Sequence, residues 1–230
     1  VTLGEDVGEI GSVFRTVALP KNFVVEYLPK YQNKILQKYL PLIEIFGENR
    51  VIDTPLDEQG ICGVSVGMAL AGLRPIVEIQ FSGFVYEAAS QIITQMARMV
   101  ERNFGKISLP IMIRLPTGSG KYIEHHREFD APPFLNIPGL NIVCPSSVQD
   151  FYDLFWASVA SNKPVLFFED KTLYRYMIKD NLIRRSLLKP LESFGARIVK
   201  EGKDITLVSY GKLVHTCFEA IKEIEKENVS

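Results

Sequence analysis

"TPLDEQGICGVSVGMALAGLRPIVEIQF", residues 54–81, holds one helix and one strand, and how it is read decides the fold. From Gly60 to Ala71 the residues are small and apolar, with Gly63, Gly67 and Ala71 four apart on one helical face. A glycine inside a helix costs ~1 kcal/mol relative to alanine. Several on one stripe therefore point to close approach, either by another helix or subunit or by a flat ligand. Residues 76–81, "IVEIQF", are apolar nearly throughout, as a parallel strand covered on both faces should be.

The same alternation continues outward. "LPIMIRL" (109–115), "LNIVCP" (140–145), "PVLFFED" (164–170) and "ITLVSYG" (205–211) read as strands, and 84–102, 148–160 and 213–226 as helices. "PSSVQD" carries a helix start, a serine before the periodic run and Asp150 in the first turn. The fold class is α/β, a mainly parallel sheet covered by helices. Residues 18–50, with prolines at Pro20, Pro29 and Pro41, read as a mainly helical surface excursion broken at the last two. From 171 to 191 the pattern turns irregular and charged, a linker, and a second α/β unit starts near Ser193.

With 47% apolar and 23% charged residues in 230, the composition is that of a soluble globular chain large enough for one substantial core. A net charge of −1 with no basic run gives no attraction to nucleic acid or membrane. Cys62, Cys144 and Cys217 form no CxxC or Cys/His pattern and read as buried thiols in a reducing compartment. Val1 in place of an initiator Met, on what looks like the end of a strand, leads us to expect a fragment of a longer chain.

Three places carry candidate chemistry. Glu58 precedes the small-residue helix, where a carboxylate either complements the helix dipole or faces a ligand. Asp57 beside it reads as a cap. Phe84 opens a helix just beyond a strand's carboxyl end, where open α/β sheets bind ligands, although a core role fits it too. Two of the three histidines, His125 and His126, are adjacent in the polar loop "GSGKYIEHHREFDAPPFLNIPGL" (118–140), a setting for proton transfer. Neighbours in sequence point apart and no third ligand is evident, which argues against a metal there. No P-loop, no G-x-G-x-x-G after a strand and no Gly-Asp-Gly diphosphate motif occurs.

Taken together, "LGEDVGEIGSVFR", "RVIDTPLDEQGICGVSVGMALAGLRPIVEIQF", "IPGLNIVCPSSVQD", "PVLFFEDKTLYR" and "GKDITLVSYGKLVH" resemble one family in its own order across nearly the whole chain. It is the beta subunit of the thiamin-diphosphate-dependent 2-oxo acid dehydrogenases, the decarboxylating component of the pyruvate and branched-chain complexes. The resemblance implies a transketolase-like pyrimidine-binding domain over 1–185 and the truncated start of a transketolase C-terminal-like domain over 186–230. It implies that Glu58 hydrogen-bonds N1′ of the cofactor's aminopyrimidine in a dry site, that Phe84 stacks on that ring, that Leu56 lines its pocket and that His126 acts in proton or acyl transfer. Diphosphate and Mg²⁺ would be held by an alpha subunit in an α₂β₂ assembly, which accounts for the missing motif.

A lipoyl acyltransferase core would receive the acyl group, and the 2-oxo acid would be branched-chain, slightly favoured by "EHHRE", "SGF" and "TQMARM", or pyruvate. A K⁺ held by backbone carbonyls would fall near Ile111, Ser158, Ser161 and Lys163, the last standing where the family usually has Asn. Such a protein belongs in the bacterial cytoplasm, or in a mitochondrial matrix or plastid. Arg127, Phe129, Ala131 and Asn136 depart from the family pattern, which leaves open a catalytically degenerate paralogue acting as a scaffold.

Overall fold

The computed structural model describes residues 1–12, 14–36, 38–118, 126–175 and 189–230. Strands β1 (Thr2–Gly4), β4 (Val51–Asp53), β5 (Ile76–Glu78), β6 (Met112–Thr117), β7 (Asn141–Val143) and β8 (Val165–Asp170) form one parallel sheet in the order β4-β1-β5-β6-β8-β7. The long register between β6 and β8 runs from Met112 beside Val165 to Thr117 beside Asp170. Both strands are buried along nearly their whole length, which is why they read as unbroken apolar runs.

Successive side chains leave the sheet on opposite faces. Ile113, Leu115, Leu166 and Phe168 join one core with Ile61, Cys62, Val66 and Ala69 of helix α3 (Glu58–Leu70). Met112, Val165 and Phe167 join a second with Phe151, Leu154 and Phe155 of helix α5 (Val148–Ala160). The start of α5 is as its sequence predicts: Ser147 Oγ accepts from Asp150 N at 3.1 Å. Burial alone would raise the Asp150 carboxyl, but hydrogen bonds from Ser146 and the Arg197 guanidinium hold it below the usual range.

The structure corrects four readings. Residues 18–50 hold the expected helical pieces, α1 (Lys21–Tyr27), a 3₁₀ helix (Pro29–Lys34) and α2 (Ile43–Phe46), with the break at Pro29, but β2 (Ala18–Pro20) and β3 (Tyr39–Pro41) pair antiparallel around the first two, so the excursion is tied by a ribbon rather than helical throughout. Pro20 and Pro41 are tolerated because a two-stranded ribbon has free edges. Residues 84–102 are not one α-helix but a 3₁₀ turn, Ser82–Tyr86, then a π-helical stretch, Gln91–Ala97, then α4 (Arg98–Arg102). Thr94 Oγ1 donates back to Ser90 O at 2.5 Å, a bond that competes with the regular ladder.

Residues 205–211 form no strand: no neighbouring ladder is paired with them, and Val208 is 90% exposed. Helix α6 (Leu213–Ile224) does form after them. The boundary between 185 and 186, and most of the expected linker, lie outside the described residues. Of the cysteines only Cys62 is fully buried, and burial together with the Glu58 charge pushes its thiol up to about 12. Among the described residues no helix is long and apolar enough to cross a membrane.

Candidate active site

Every candidate of the cofactor-binding and histidine readings that the structure describes lies at the carboxyl edge of the sheet. The connection leaving β1 runs to β4 on one side, and that leaving β5 runs to β6 on the other, so the crevice of an open α/β fold opens between β1 and β5. Glu5 follows β1, Thr54 to Glu58 follow β4, Gln80 to Phe84 follow β5, His126 lies in the loop after β6, and Lys171 follows β8.

Glu58 is the first residue of α3, and Asp57 caps that helix, its Oδ1 accepting from Gly60 N at 2.9 Å. Gly60 leaves room for this cap, since a Cβ on it would lie 2.3 Å from Asp57 Oδ2 and the carboxylate would have to shift. Asp57→Ala is expected to cost about 1 kcal/mol through the lost cap, seen as a melting temperature lower by about 2–4 °C. An unchanged melting temperature would show that the cap contributes nothing.

Glu58 is half-buried rather than sealed, and Leu56 is 68% exposed, so this chain by itself does not supply the dry setting expected around the carboxylate. Glu58 lies close enough to Glu5 for its charge to matter. Burial first, then Asp6 and Glu58, push the Glu5 carboxyl above the usual range, while the nearby Gln80 amide pulls it back. One buried polar atom here, Thr54 Oγ1, has no hydrogen-bond partner within the described chain, while the Gln80 amide is directed at Glu5.

Phe84 and His126 are brought together. The imidazole packs edge-on to Phe84 at 5.5 Å and to Phe81 at 4.4 Å between ring centroids, and Phe14 closes on Phe81 at 5.4 Å. The loop that carries His126 is pinned as it returns. Ser82 Oγ lies 2.8 Å from Asp130 Oδ2 and 2.7 Å from Glu128 O, and Thr117 Oγ1 donates to the same Glu128 carbonyl. His125 lies outside the described residues.

Beneath this edge Arg114 of β6 is buried in the sheet between Glu78 of β5 and Glu169 of β8. Its Nε and Nη2 meet Glu169 at 2.6 and 2.7 Å, and Nη1 meets Glu78 Oε2 at 2.7 Å. Tyr174 Oη and Thr16 Oγ1 donate to the two carboxylates. The sequence carries a signal for this network, a charge inside each of three apolar strands, Glu78, Arg114 and Glu169. Glu5 and Lys171 are not among the sequence candidates; Lys171 directly follows the strand read at 164–170.

"GVSVG", residues 63–67, has the spacing of a nucleophile elbow, but the strained strand-to-helix turn that such an elbow needs is absent. Ser65 is buried inside α3 and donates to Cys62 O at 2.7 Å. The glycine stripe of α3 faces outward: a Cβ on Gly67 would meet nothing within 4 Å, and one on Gly63 would make ordinary contact with Gln91.

The K⁺ expectation meets a more crowded setting. Val165 N donates to Ile111 O at 2.9 Å, Ser161 N to Ser158 O at 3.2 Å, and Ser161 Oγ to Lys163 O at 3.1 Å. Arg74 Nη1 donates to Ser161 O at 2.8 Å, bringing a fixed positive charge to that carbonyl. Ser158 Oγ is buried without a partner in the described chain.

Comparison with known proteins agrees with this architecture. Residues 1–177 match the model of the transketolase pyrimidine-binding domain, and residues 195–230 that of the transketolase C-terminal domain. The chain is 39% identical over 229 residues to the pyruvate dehydrogenase E1 component subunit beta of Leifsonia xyli subsp. xyli, covering 99% of this chain and 60% of that protein. It is also 39% identical over 230 residues to the 2-oxoisovalerate dehydrogenase subunit beta of Bacillus subtilis, covering 99% of this chain and 62% of that one. The chain thus spans about three-fifths of the length of these relatives. A solved split-gene transketolase, an inactive beta4 tetramer, superposes with a TM-score of 0.64 at 16% identity over 100% of this chain and 61% of that one, a likeness of fold.

Proposed function

Because the chain belongs to the transketolase pyrimidine-binding domain family, we propose that it is the pyrimidine-binding part of the beta subunit of a 2-oxo acid dehydrogenase. The observation that carries this is the meeting at one sheet edge of Glu58 on the first turn of α3, the Phe84–His126 pair, and the orphaned Thr54 hydroxyl. A heteroaromatic ring with its own donors and acceptors fits that set, since buried polar atoms left without partners are costly.

Thiamin diphosphate, when bound, supplies the electron sink for decarboxylation. Glu58 would hold and release a proton at N1′ of the aminopyrimidine, and Phe84 would present its ring to the pyrimidine. Leu56, exposed here, would be covered on binding. His126 would hold or move a proton beside the reacting carbon. Burial of Glu58 would be completed by the alpha subunit, which would also hold the diphosphate and Mg²⁺. The acyl group would pass to a lipoyl acyltransferase partner. A K⁺ would be held by the backbone carbonyls of Ile111, Ser158, Ser161 and Lys163, each of which has a second lone pair to offer.

The proposal is tested by assembling the full-length chain with its alpha subunit and assaying pyruvate against 2-oxoisovalerate. Turnover of either supports it, and the ratio names the substrate. The same assembly tests the glycine stripe, which we assign to contact with a partner chain or the cofactor. Gly67→Leu should leave the melting temperature of the free chain equal or higher, because a helical glycine is removed. It should weaken assembly about tenfold or more by overfilling the contact, as read by sedimentation. Assembly at undiminished affinity would remove that role.

A further inference from the structure

Lys171 directly follows β8, its backbone N donating to Thr117 O at 3.0 Å, so its side chain starts from the same edge as Phe81 and His126. It is 9% exposed. The ammonium donates to the main-chain carbonyl of His126. It also lies 4.9 Å from the centroid of Phe81 and 6.0 Å from that of Phe14. One cation therefore touches both the backbone of His126 and the aromatic ring against which that imidazole rests.

A methionine could fill the same space without the cost of taking an ammonium out of water. That burial, with the Asp170 charge working against it, lowers the Lys171 pKa to about 8. Asp170 acts on it as a neighbouring charge, and His126 meets it through the main-chain carbonyl.

We propose that Lys171 is a positioning residue, an internal cationic strut that fixes the His126 imidazole against Phe81 and Phe84 for its part in proton transfer. The proposal rests on the functional reading above, and its test is built to separate the two. Nuclear magnetic resonance of the ring protons is practical because the chain has three histidines. In the assembled complex, Lys171→Met should displace the His126 Cε1–H resonance, while Lys171→Arg should leave it nearly in place.

In turnover, Lys171→Met should lower kcat about 10- to 100-fold through misplacement, with thiamin diphosphate affinity changed by no more than about twofold. Arg should restore most of the rate. The wild type should slow as pH rises through about 8. The Arg variant should lack that limb, since its side chain keeps its proton. A His126 resonance identical in the Met variant would overturn the proposal, as would equal losses in the Met and Arg variants. A wild-type complex that neither binds the cofactor nor turns over would sink the functional reading alone, because the resonance comparison would still decide the strut.

Discussion

Glu58→Gln in the reconstituted heteromer should lower 2-oxo acid decarboxylation about 100- to 10,000-fold, the range ascribed to a positioned proton-transfer group. Glutamine keeps the size and one acceptor of the carboxylate but cannot exchange a proton at N1′. The fold should survive the change. Glu58 sits half-exposed on the first turn of α3, where loss of its charge removes only a favourable helix-dipole interaction of about 0.3–1 kcal/mol.

A second readout needs no turnover. The Glu58 charge helps to push the Glu5 carboxyl up, so in the glutamine variant Glu5 should titrate closer to its ordinary value. Undiminished decarboxylation by the variant would remove the role given to Glu58. Calorimetry separates the remaining alternative: a heteromer that forms but releases no heat with thiamin diphosphate would return the chain to the scaffold reading that Arg127 and Asn136 first raised.

Arg114→Met should be the most damaging single change to stability. Arg114, Glu78 and Glu169 are 4%, 1% and 1% exposed, and removing the cation leaves two carboxylates facing each other in the sheet. Breaking a buried pair from one side costs about 3–5 kcal/mol. For a domain of this size that corresponds to a melting temperature lower by roughly 6–20 °C.

The sign of the pH dependence follows from the same arrangement. Burial and mutual repulsion would raise the pKa of both orphaned carboxyls in the folded state. The folded chain then binds protons more tightly than the unfolded one, so stability is greatest below the ordinary carboxylate range and is lost as pH rises through the raised values. The deficit relative to wild type should therefore be smallest near pH ~4 and largest near neutrality. Replacing all three residues together by apolar ones of similar volume should cost less than Arg114→Met alone. A pH-independent deficit would mean that the network is not ionised as the geometry implies.

Much of the architecture could be read from pattern. The apolar runs at 109–115 and 164–170 announced strands covered on both faces, because a buried parallel strand has no polar side. The helix mouth at Glu58 could be read from an acidic pair ahead of a glycine and a small-residue face. Where local pattern misled, a longer-range condition decided. Residues 205–211 have strand composition, but a strand exists only where another strand offers its ladder, and here Val208 lies open instead. Pro29 does break the helix, as its ring requires, but Pro41 sits on an edge strand whose pairing with β2 no local rule specifies.

Glu58, Phe84 and His126 could each be named from the chain, with a bland reading beside every one. Their placement at a single sheet edge was decided by the strand order, which sends consecutive connections to opposite sides of β1. The same order set Lys171 beneath His126, 45 residues away in sequence, and closed Arg114 between Glu78 and Glu169. Sequence determined which residues are apolar, which start helices and which carry a proton. Which of them meet was left to the tertiary structure, because contact between distant residues depends on the register of the sheet, and residue spacing along the chain does not encode it.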